Sequence, residues 1–189
     1  TMQRVSVMLS PKHKSPSNEF KHVGEVALMS SSNTLPLEGI RVIDFTQVMM
    51  GPSATQMLGG FGADVIKIEN PKGGDLSRTA FGAVDEKGLN NPIFCSLNRN
   101  KRSLALDLRQ DENKDIVYAL IKDADVVVSN FRAGVMDRIG FGYHKLRELN
   151  PKLVYASGSG YGPKGPYSHK GGQDVLAQAM TGVMAQKAD

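Results

Sequence analysis

Residues 40–69 read IRVIDFTQVMMGPSATQMLGGFGADVIKIE, which is two apolar, β-branched runs with an amphipathic stretch between them. Short apolar runs of this composition predict buried strands, here over Ile40–Phe45 and Asp64–Glu69. The intervening stretch contains Gly51 and Pro52, after which the pattern predicts a helix. A strand, a helix and a second strand in this order are the repeating unit of a parallel sheet.

The same alternation continues along the chain. Further strands are predicted over Ser103–Leu108, Asp125–Ser129 and Leu153–Ser157. Helical segments are predicted over Asp111–Ala124, Val135–Ile139, Tyr143–Leu149 and Gln173–Met184. The repeated order predicts an α/β fold, a Rossmann-like parallel sheet with flanking helices on both faces.

Residues 1–33 have a different texture, a mixture of Lys, Ser, Met and Pro without helical or strand periodicity. We interpret 1–33 as a disordered leader and 34–189 as the folded part. The alternative for 1–33 is a mitochondrial presequence, but such sequences avoid acidic residues and this one contains Glu19 and Glu25.

Composition excludes several classes of protein. The formal net charge is +4, and residues 1–33 carry half of it, so the folded part has no basic stripe and no nucleic-acid partner is expected. Cys95 is the only cysteine, which excludes an internal disulfide and favours a reducing compartment. No apolar run approaches the roughly 20 residues that a membrane helix needs.

Ligands of open parallel sheets bind beyond the carboxyl ends of the strands, where loops lead into helix N-termini that favour anions. The candidate site is therefore lined by four loops, Thr46–Pro52, Asn70–Arg78, Asn130–Gly134 and Gly158–Gly165.

Several common kinds of functional site are disfavoured because their sequence motifs are missing. The turn after the first strand lacks the G-x-G-x-x-G of dinucleotide binding, and the glycine-rich Gly158–Gly162 lacks the Lys and Ser/Thr of a P-loop. The four histidines have no metal-ligand spacing, so no metal is expected. The G-x-S-x-G of a serine hydrolase is missing as well.

A set of longer motifs occurs in a fixed order along residues 35–184. They are VIDFTQVMMGP, GGFGADVIKIE, GGDLSR, LNRNKRSLALDL, DVVVSNFRAGVMDRIGFGY, LNPKLVYASGSGYGPKGPY and GGQDVLAQAMTG. In this order they resemble the N-terminal half of the class III CoA-transferases, the CaiB/BaiF type, with formyl-CoA transferase among its branches.

The resemblance implies an enzyme that moves CoA between carboxylic acids through an aspartyl-CoA thioester, with acyl-CoA and a carboxylic acid as substrates and two chains interlocked as a homodimer. Residues 34–189 then match the N-terminal part of the family's large domain. We expect a fragment, because the family's nucleophilic Asp lies in a segment after the helix that begins near Gln173. We expect the fragment alone to be inactive.

The resemblance also assigns a CoA site, residue by residue. It comprises Val48, Arg102, Leu106, Arg109, Asn130, Phe131 and Arg138, with Lys170 as a phosphate partner. Arg and Lys suit the 3′-phosphate and diphosphate of CoA. The alternatives are packing at the sheet edge for Leu106 and Phe131, and solvated surface charges for the arginines.

At the acyl end, Gln173 stands where the racemase branch has an acid-base histidine. Gln cannot titrate, which disfavours a racemase. Asp174 matches an acidic position beside the formyl-CoA transferase active site, and its alternative role is an N-cap of the next helix. Met49 replaces a Gln of that branch, so the acyl group stays open.

Two other functions remain as alternatives. One is a non-catalytic module for CoA binding and dimerisation, and the other is a fragment of an acyl-CoA racemase. The expected compartment is the cytoplasm, with the mitochondrion as the alternative.

Overall fold

The computed structural model describes residues 34–80 and 91–185, so the predicted leader at 1–33 lies outside the described residues. The described chain forms one parallel sheet with the strand order β3-β2-β1-β4-β5. The strands are β1 (Arg41–Asp44), β2 (Asp64–Glu69), β3 (Lys101–Ala105), β4 (Val126–Ser129) and β5 (Val154–Ser157). The predicted α/β class with a Rossmann-like parallel sheet is confirmed.

The helices are α1 (Met50–Gly60), α2 (Pro92–Leu97), α3 (Asp111–Lys122), α4 (Val135–Arg138), α5 (Tyr143–Leu149) and α6 (Asp174–Met180), with a 3₁₀ turn at Leu76–Arg78. The sequence analysis did not predict α2 or the 3₁₀ turn. It also extended the last helix to Met184, whereas α6 ends at Met180.

The strand predicted over Ser103–Leu108 is wrong in its position, because β3 begins at Lys101 and ends at Ala105. The apolar alternation continues past the strand for a different reason. Leu106 and Leu108 lie in the following loop and pack against the core from there. The alternation of apolar residues shows which side chains are buried. It does not show where the backbone hydrogen bonds between two strands end.

The strand order reverses direction between β1 and β4. The chain moves outward from β1 through β2 to β3, then returns to the other side of β1, where Val42 lies opposite Val126. The place where the strand order reverses is called a switch point. The loops that leave the two strands there run in opposite directions and open a crevice at the carboxyl ends of these strands. The fold therefore places Phe45–Met49 and Asn130 onward at the position where these sheets bind ligands.

One face of the sheet carries most of the apolar core. Ile43, Phe45, Ile66, Ile68 and Val127 pack there against Val117 and Ile121 of α3, Met136 of α4 and Leu146 of α5. Phe141 also belongs to this core, and its ring centroid lies 5.1 Å from that of Phe45. Each fully buried side chain of this size contributes roughly 1.5–3 kcal/mol. This core fixes the three central strands.

The opposite face of the sheet, toward α1, is apolar at the amino-terminal ends of the strands and polar at their carboxyl-terminal ends. Val42 and Val65 pack with Leu58 near the amino-terminal ends. Because successive side chains alternate between faces, the next positions on this face are Asp44 and Thr46 of the β1 side and Lys67 and Glu69 of β2. We call the buried set of Asp44, Thr46, Lys67, Glu69, Asp75 and Lys101 the polar layer.

The last helix lies apart from this core. Every residue of α6 is exposed, and among its apolar side chains Val175 is 52% and Met180 59% exposed. Within the described residues, no helix combines the length and the apolar character needed to cross a bilayer.

Candidate functional site

A cavity of about 370 Å³ opens at the carboxyl-terminal edge of the sheet. Its walls come from the segments that follow four strands. These are Phe45 and Gln47 after β1, Asn70 and Lys72 after β2, Leu106–Arg109 after β3 and Phe131 after β4. The cavity thus borders the β1–β4 switch point, at the strand edge expected from sheet geometry. Of the four loops that were predicted to line the site, Gly158–Gly165 contributes no residue to the cavity wall, whereas the loop after β3, which was not predicted, contributes Leu106–Arg109.

Three of the predicted CoA residues, Leu106, Arg109 and Phe131, line this cavity. Leu106 and Phe131 also pack against the apolar core, so binding and packing are compatible roles for them. The Arg109 guanidinium is exposed and pairs with Asp107, whose pKa it lowers to about 2 through its hydrogen bonds. Arg109 is therefore held at the cavity rim with its charge open to solvent.

Asn130 has a bridging role across the switch point. Its Oδ1 accepts from the Gln47 amide at 2.8 Å, and its Nδ2 donates to the Gln47 carbonyl, also at 2.8 Å. Both polar atoms of the side chain are thus used on one residue of the β1–α1 loop. The structure brings Asn130 to the predicted site, where it shapes the cavity wall at Gln47.

Val48 occupies an unusual backbone conformation, with φ 70°. The left-handed region costs an L residue roughly 1–2 kcal/mol, and branching at Cβ makes Val a poor occupant. The Val48 amide donates to Asp75 Oδ1 at 3.0 Å, which compensates for part of this cost. Strained backbone of this type gathers at binding sites.

The structure does not bring Arg102 to this cavity. Its guanidinium donates to both carboxylate oxygens of Asp64, at 2.7 and 2.6 Å, at the amino-terminal start of β2. Burial would raise the pKa of Asp64, but hydrogen bonds from Arg102 and Arg41 outweigh it and lower that pKa. Arg102 stands at the other end of the strands from the cavity and holds two strands together.

Arg138 and Lys170 lie outside the cavity wall as well. Arg138 is an exposed residue at the end of α4, next to Ile139, which lines the cavity. Lys170 is exposed in the loop before α6, and its Nζ lies 4.3 Å from the ring centroid of Tyr167. Both are solvent-facing cations, and of the two only Arg138 is adjacent to a residue of the cavity wall.

The two residues predicted for the acyl end are adjacent at the start of α6. Gln173 occupies the N-cap position, and Asp174 is the first helical residue, accepting from Gln178 Nε2 at 2.7 Å. The alternative role of Asp174 as the N-cap residue is therefore wrong. Both side chains are exposed in the described chain.

On the sheet face toward α1, Asp44 organises the first half of the polar layer. It is fully buried and accepts from the Thr46 amide at 2.8 Å, the Thr46 hydroxyl and the Thr55 hydroxyl at 2.7 Å. Lys101 Nζ lies 3.1 Å from Asp44 Oδ2 and also donates to the Pro52 carbonyl. The pair ties β1, β3 and the first turn of α1 together.

Asp75 organises the second half. Its Oδ2 lies 2.9 Å from Lys67 Nζ, and Lys67 in turn donates to the Thr46 carbonyl at 2.6 Å. Burial would raise the pKa of Asp75, but the Lys67 ammonium group 2.9 Å away outweighs burial and lowers that pKa. Asp75 is thus an anion that reaches from the GGDLSR segment to the β1–α1 loop.

Glu69 fastens the same segment from the end of β2. It accepts from Arg78 Nε and Nη2 at 2.8 and 2.7 Å, from the Ser103 hydroxyl at 2.5 Å and from the Asp75 amide at 2.9 Å. Burial would raise the pKa of Glu69, but these donors lower it from 4.5 to about 2. Arg78 and Asp75 therefore both depend on an ionised Glu69.

This shift predicts acid sensitivity. A folded-state pKa below the unfolded value means that Glu69 contributes its full stabilisation, about 3 kcal/mol, above pH 4.5 and loses it as the pH falls toward 2. In urea unfolding, we expect Glu69→Gln to be less stable than wild type at pH 7, with a gap that shrinks by more than half at pH 3. A constant gap from pH 7 to pH 3 would contradict the assignment.

The sequence analysis missed the polar layer. The available signal was the presence of Asp44, Lys67 and Glu69 at alternate positions of strands that are otherwise Val and Ile. Buried charges are found almost only where they are paired, so three charges within two buried strands imply partners nearby. In the described ranges 34–80 and 91–185, no His/Cys/Asp/Glu group has the arrangement of a metal site.

The family described as CoA-transferase family III matches residues 37–189 of this chain. Among curated proteins, succinate–glutarate CoA-transferase from Agrobacterium fabrum is 44% identical over 155 residues, covering 79% of this chain and 38% of its own length. A formyl-CoA:oxalate CoA-transferase from Rhodopseudomonas palustris is 45% identical over 150 residues, covering 79% of this chain and 34% of its own. The chain thus spans little more than a third of these relatives.

Among solved structures, a CAIB/BAIF family protein from Brucella suis superposes with a TM-score of 0.75 at 38% sequence identity. The match covers 82% of this chain and 42% of that protein. The parallel sheet and its flanking helices are therefore shared with a solved structure at a clearly related sequence.

Proposed function

The chain belongs to CoA-transferase family III, the CaiB/BaiF type, and from that premise we propose that it forms the CoA-binding part of an enzyme that moves CoA between carboxylic acids. The observation that carries this proposal is the cavity beside the β1–β4 switch point. It combines apolar walls with a rim arginine, which is what a nucleotide with several phosphates requires.

Each part of the cavity has a proposed partner in CoA. Leu106 and Phe131 offer apolar surface to the adenosine part, and Arg109 offers a planar donor group to a phosphate. The Arg109 guanidinium is exposed although Asp107 is partly buried, so exchanging this pair for a phosphate contact requires little further desolvation of Arg109. Lys170 and Arg138 would add positive charge on the approach to the site. Arg102 is the weakest member, because Asp64 already occupies its guanidinium.

For the chemistry, we propose an aspartyl-CoA thioester, which divides one difficult exchange into several easier steps. We assign no residue of this chain as the nucleophile. Gln173 and Asp174 have supporting roles, in which Asp174 orients a carboxyl group. Gln173 cannot exchange a proton as an acid-base group does, and this favours transfer over racemisation.

The substrates are an acyl-CoA and a carboxylic acid. The names of the relatives include succinate, glutarate, formyl and oxalate groups, which supports a small mono- or dicarboxylate acceptor. A homodimer in the cytoplasm is the proposed setting, with the mitochondrion as the alternative compartment.

Replacing Arg109 with alanine is expected to weaken CoA binding by at least tenfold in isothermal titration calorimetry. The reason is the loss of a charge-assisted bond to phosphate, worth about 1.5–3 kcal/mol. Arg147→Ala is the matched control, because Arg147 is an exposed arginine on α5 outside the cavity wall.

Equal affinities of the Arg109 and Arg147 variants would contradict the assignment of Arg109, and absence of CoA binding by the wild type would contradict the proposed site. The reaction class is tested separately with the whole enzyme. Transfer predicts capture of the thioester by hydroxylamine, whereas exchange of the acyl α-proton in deuterated water would point to a racemase.

A further inference from the structure

The β1–α1 loop is held by side chains at three consecutive residues. Lys67 donates to the Thr46 carbonyl at 2.6 Å, Asn130 binds both the amide and the carbonyl of Gln47, and Asp75 accepts from the Val48 amide at 3.0 Å. These three partners come from β2, from the end of β4 and from the GGDLSR segment. Such bracing fixes the backbone of a loop that borders the cavity.

Asp75 is the central group of this bracing. It is 1% exposed, and Oδ1 accepts from Ser77 N at 2.9 Å and Ser77 Oγ at 2.8 Å as well as from Val48. Its Oδ2 faces Lys67 at 2.9 Å. A buried carboxylate with so many partners has one orientation, so its hydrogen bond to Val48 has a fixed direction.

The segment that carries Asp75 is itself immobilised. Gly74 has φ 67°, and a Cβ there would lie 2.7 Å from Glu69 Oε1 and from the Arg78 side chain. Glu69 holds both the Asp75 amide and the Arg78 guanidinium. The GGDLSR segment is therefore a rigid support rather than a free loop.

Val48 is the residue on which this support acts. A Val with φ 70° would relax toward the β region if its amide lost its acceptor, and the loop before α1 would change course. We propose that Asp75 is a positioning residue for CoA binding: through the Val48 amide it imposes the left-handed turn that shapes the β1–α1 side of the site. This inference rests on the proposed function, since CoA is the ligand that the loop would contact.

The test compares variants with and without an acceptor oxygen at residue 75, and Val48→Gly then separates the bond to Val48 from the bonds to Ser77. Truncating Asp75 alone would strand the buried Lys67 charge, so both variants also carry Lys67→Met, which removes that charge. Lys67→Met with Asp75→Asn keeps a side-chain oxygen near the Val48 amide. Lys67→Met with Asp75→Leu removes it at similar size. The readouts are the dissociation constant for CoA by calorimetry and the urea midpoint without ligand.

We expect the Leu variant to bind CoA at least tenfold more weakly than the Asn variant, which carries the same Lys67→Met substitution. Adding Val48→Gly to the Leu variant should recover at least fivefold, because glycine adopts φ 70° without an acceptor to hold it. If Asp75 only stabilised the fold, Val48→Gly would leave the CoA affinity of the Leu variant unchanged.

The outcomes separate the two proposals. If wild type binds CoA and the Leu variant binds equally well, or if Val48→Gly gives no recovery, the positioning role is overturned and the proposed function stands. If wild type does not bind CoA, the proposed function itself fails. If the Leu variant does not fold, Val48→Gly is added to the Asn variant instead. This triple variant must bind CoA as well as the Asn variant does. A tenfold loss of CoA affinity would overturn the inference.

Discussion

Asp44→Ala is expected to lower the free energy of unfolding by about 3–5 kcal/mol, because it breaks a buried ion pair and leaves one partner behind. Asp44 is fully buried and accepts from Thr46 and Thr55, while Lys101 Nζ lies 3.1 Å away. Burial lowers the pKa of Lys101, and Asp44 opposes that effect. Without Asp44, Lys101 must either lose its proton or draw water into the interior.

The matched control is Asp111→Ala. Asp111 pairs with Lys114 at 2.8 Å, but its side chain is 90% exposed, and exposed pairs contribute little to stability because water screens them. Urea unfolding at pH 7 measures both variants. Similar midpoints for the two would show that burial does not decide the strength of the Asp44 pair. The urea midpoint of Asp44→Asn should lie between those of Asp44→Ala and Asp111→Ala, because Asn keeps the acceptor for Thr46 and loses the charge.

Gly51→Ala is expected to destabilise the protein by about 3 kcal/mol, the upper range for overpacking. A Cβ at position 51, in the first turn of α1, would lie 2.5 Å from Thr46 Cβ and Cγ2 and 3.0 Å from Asn130 Cγ. Neither neighbour can move freely, because Thr46 is bound to Asp44 and Asn130 to Gln47. The methyl group would therefore displace α1 from the sheet.

Gly60→Ala provides the control in the same helix. Apart from the chain neighbours of Gly60 and the backbone of α1 itself, no atom of the described residues lies within 4 Å of a Cβ at Gly60, so alanine enters open space there. Replacing a helical glycine under these conditions should stabilise by roughly 0.5–1 kcal/mol. Thermal melts of the two variants should shift in opposite directions. A shift in the same direction would mean that α1 is not seated on Thr46 and Asn130.

Local pattern was sufficient for most elements of the fold. Asp64–Glu69 and Tyr143–Leu149 were predicted with the bounds that the structure has, because a buried strand and an amphipathic helix each carry their period in the sequence. The failures have local causes too. α2 is short and has no buried residue, so Pro92–Leu97 offers no apolar period to recognise.

Sheet topology explains why some of the predicted CoA residues line the cavity and one of them does not. Leu106, Arg109 and Phe131 follow strands of a parallel sheet, and carboxyl ends of parallel strands meet at one edge, so their proximity follows from topology. Arg102 lies within β3 rather than after it. The resemblance alone assigned Arg102, and both the predicted strand and β3 place it at their amino-terminal end, away from the edge where the cavity lies.

The opening stretch, IRVIDFTQVMMGPSATQMLGGFGADVIKIE, by itself determined the strand–helix–strand unit and the parallel sheet, because apolar periodicity is a local property of the chain. It also placed Lys67 and Glu69 on one face of β2, since alternation is local as well. Only the tertiary structure decided that Asp44 pairs with Lys101 and Lys67 with Asp75, and that Asp75 holds Val48 in a left-handed turn. A charge selects its partner by distance in three dimensions, and residues far apart in the chain acquire that distance only when the sheet has assembled.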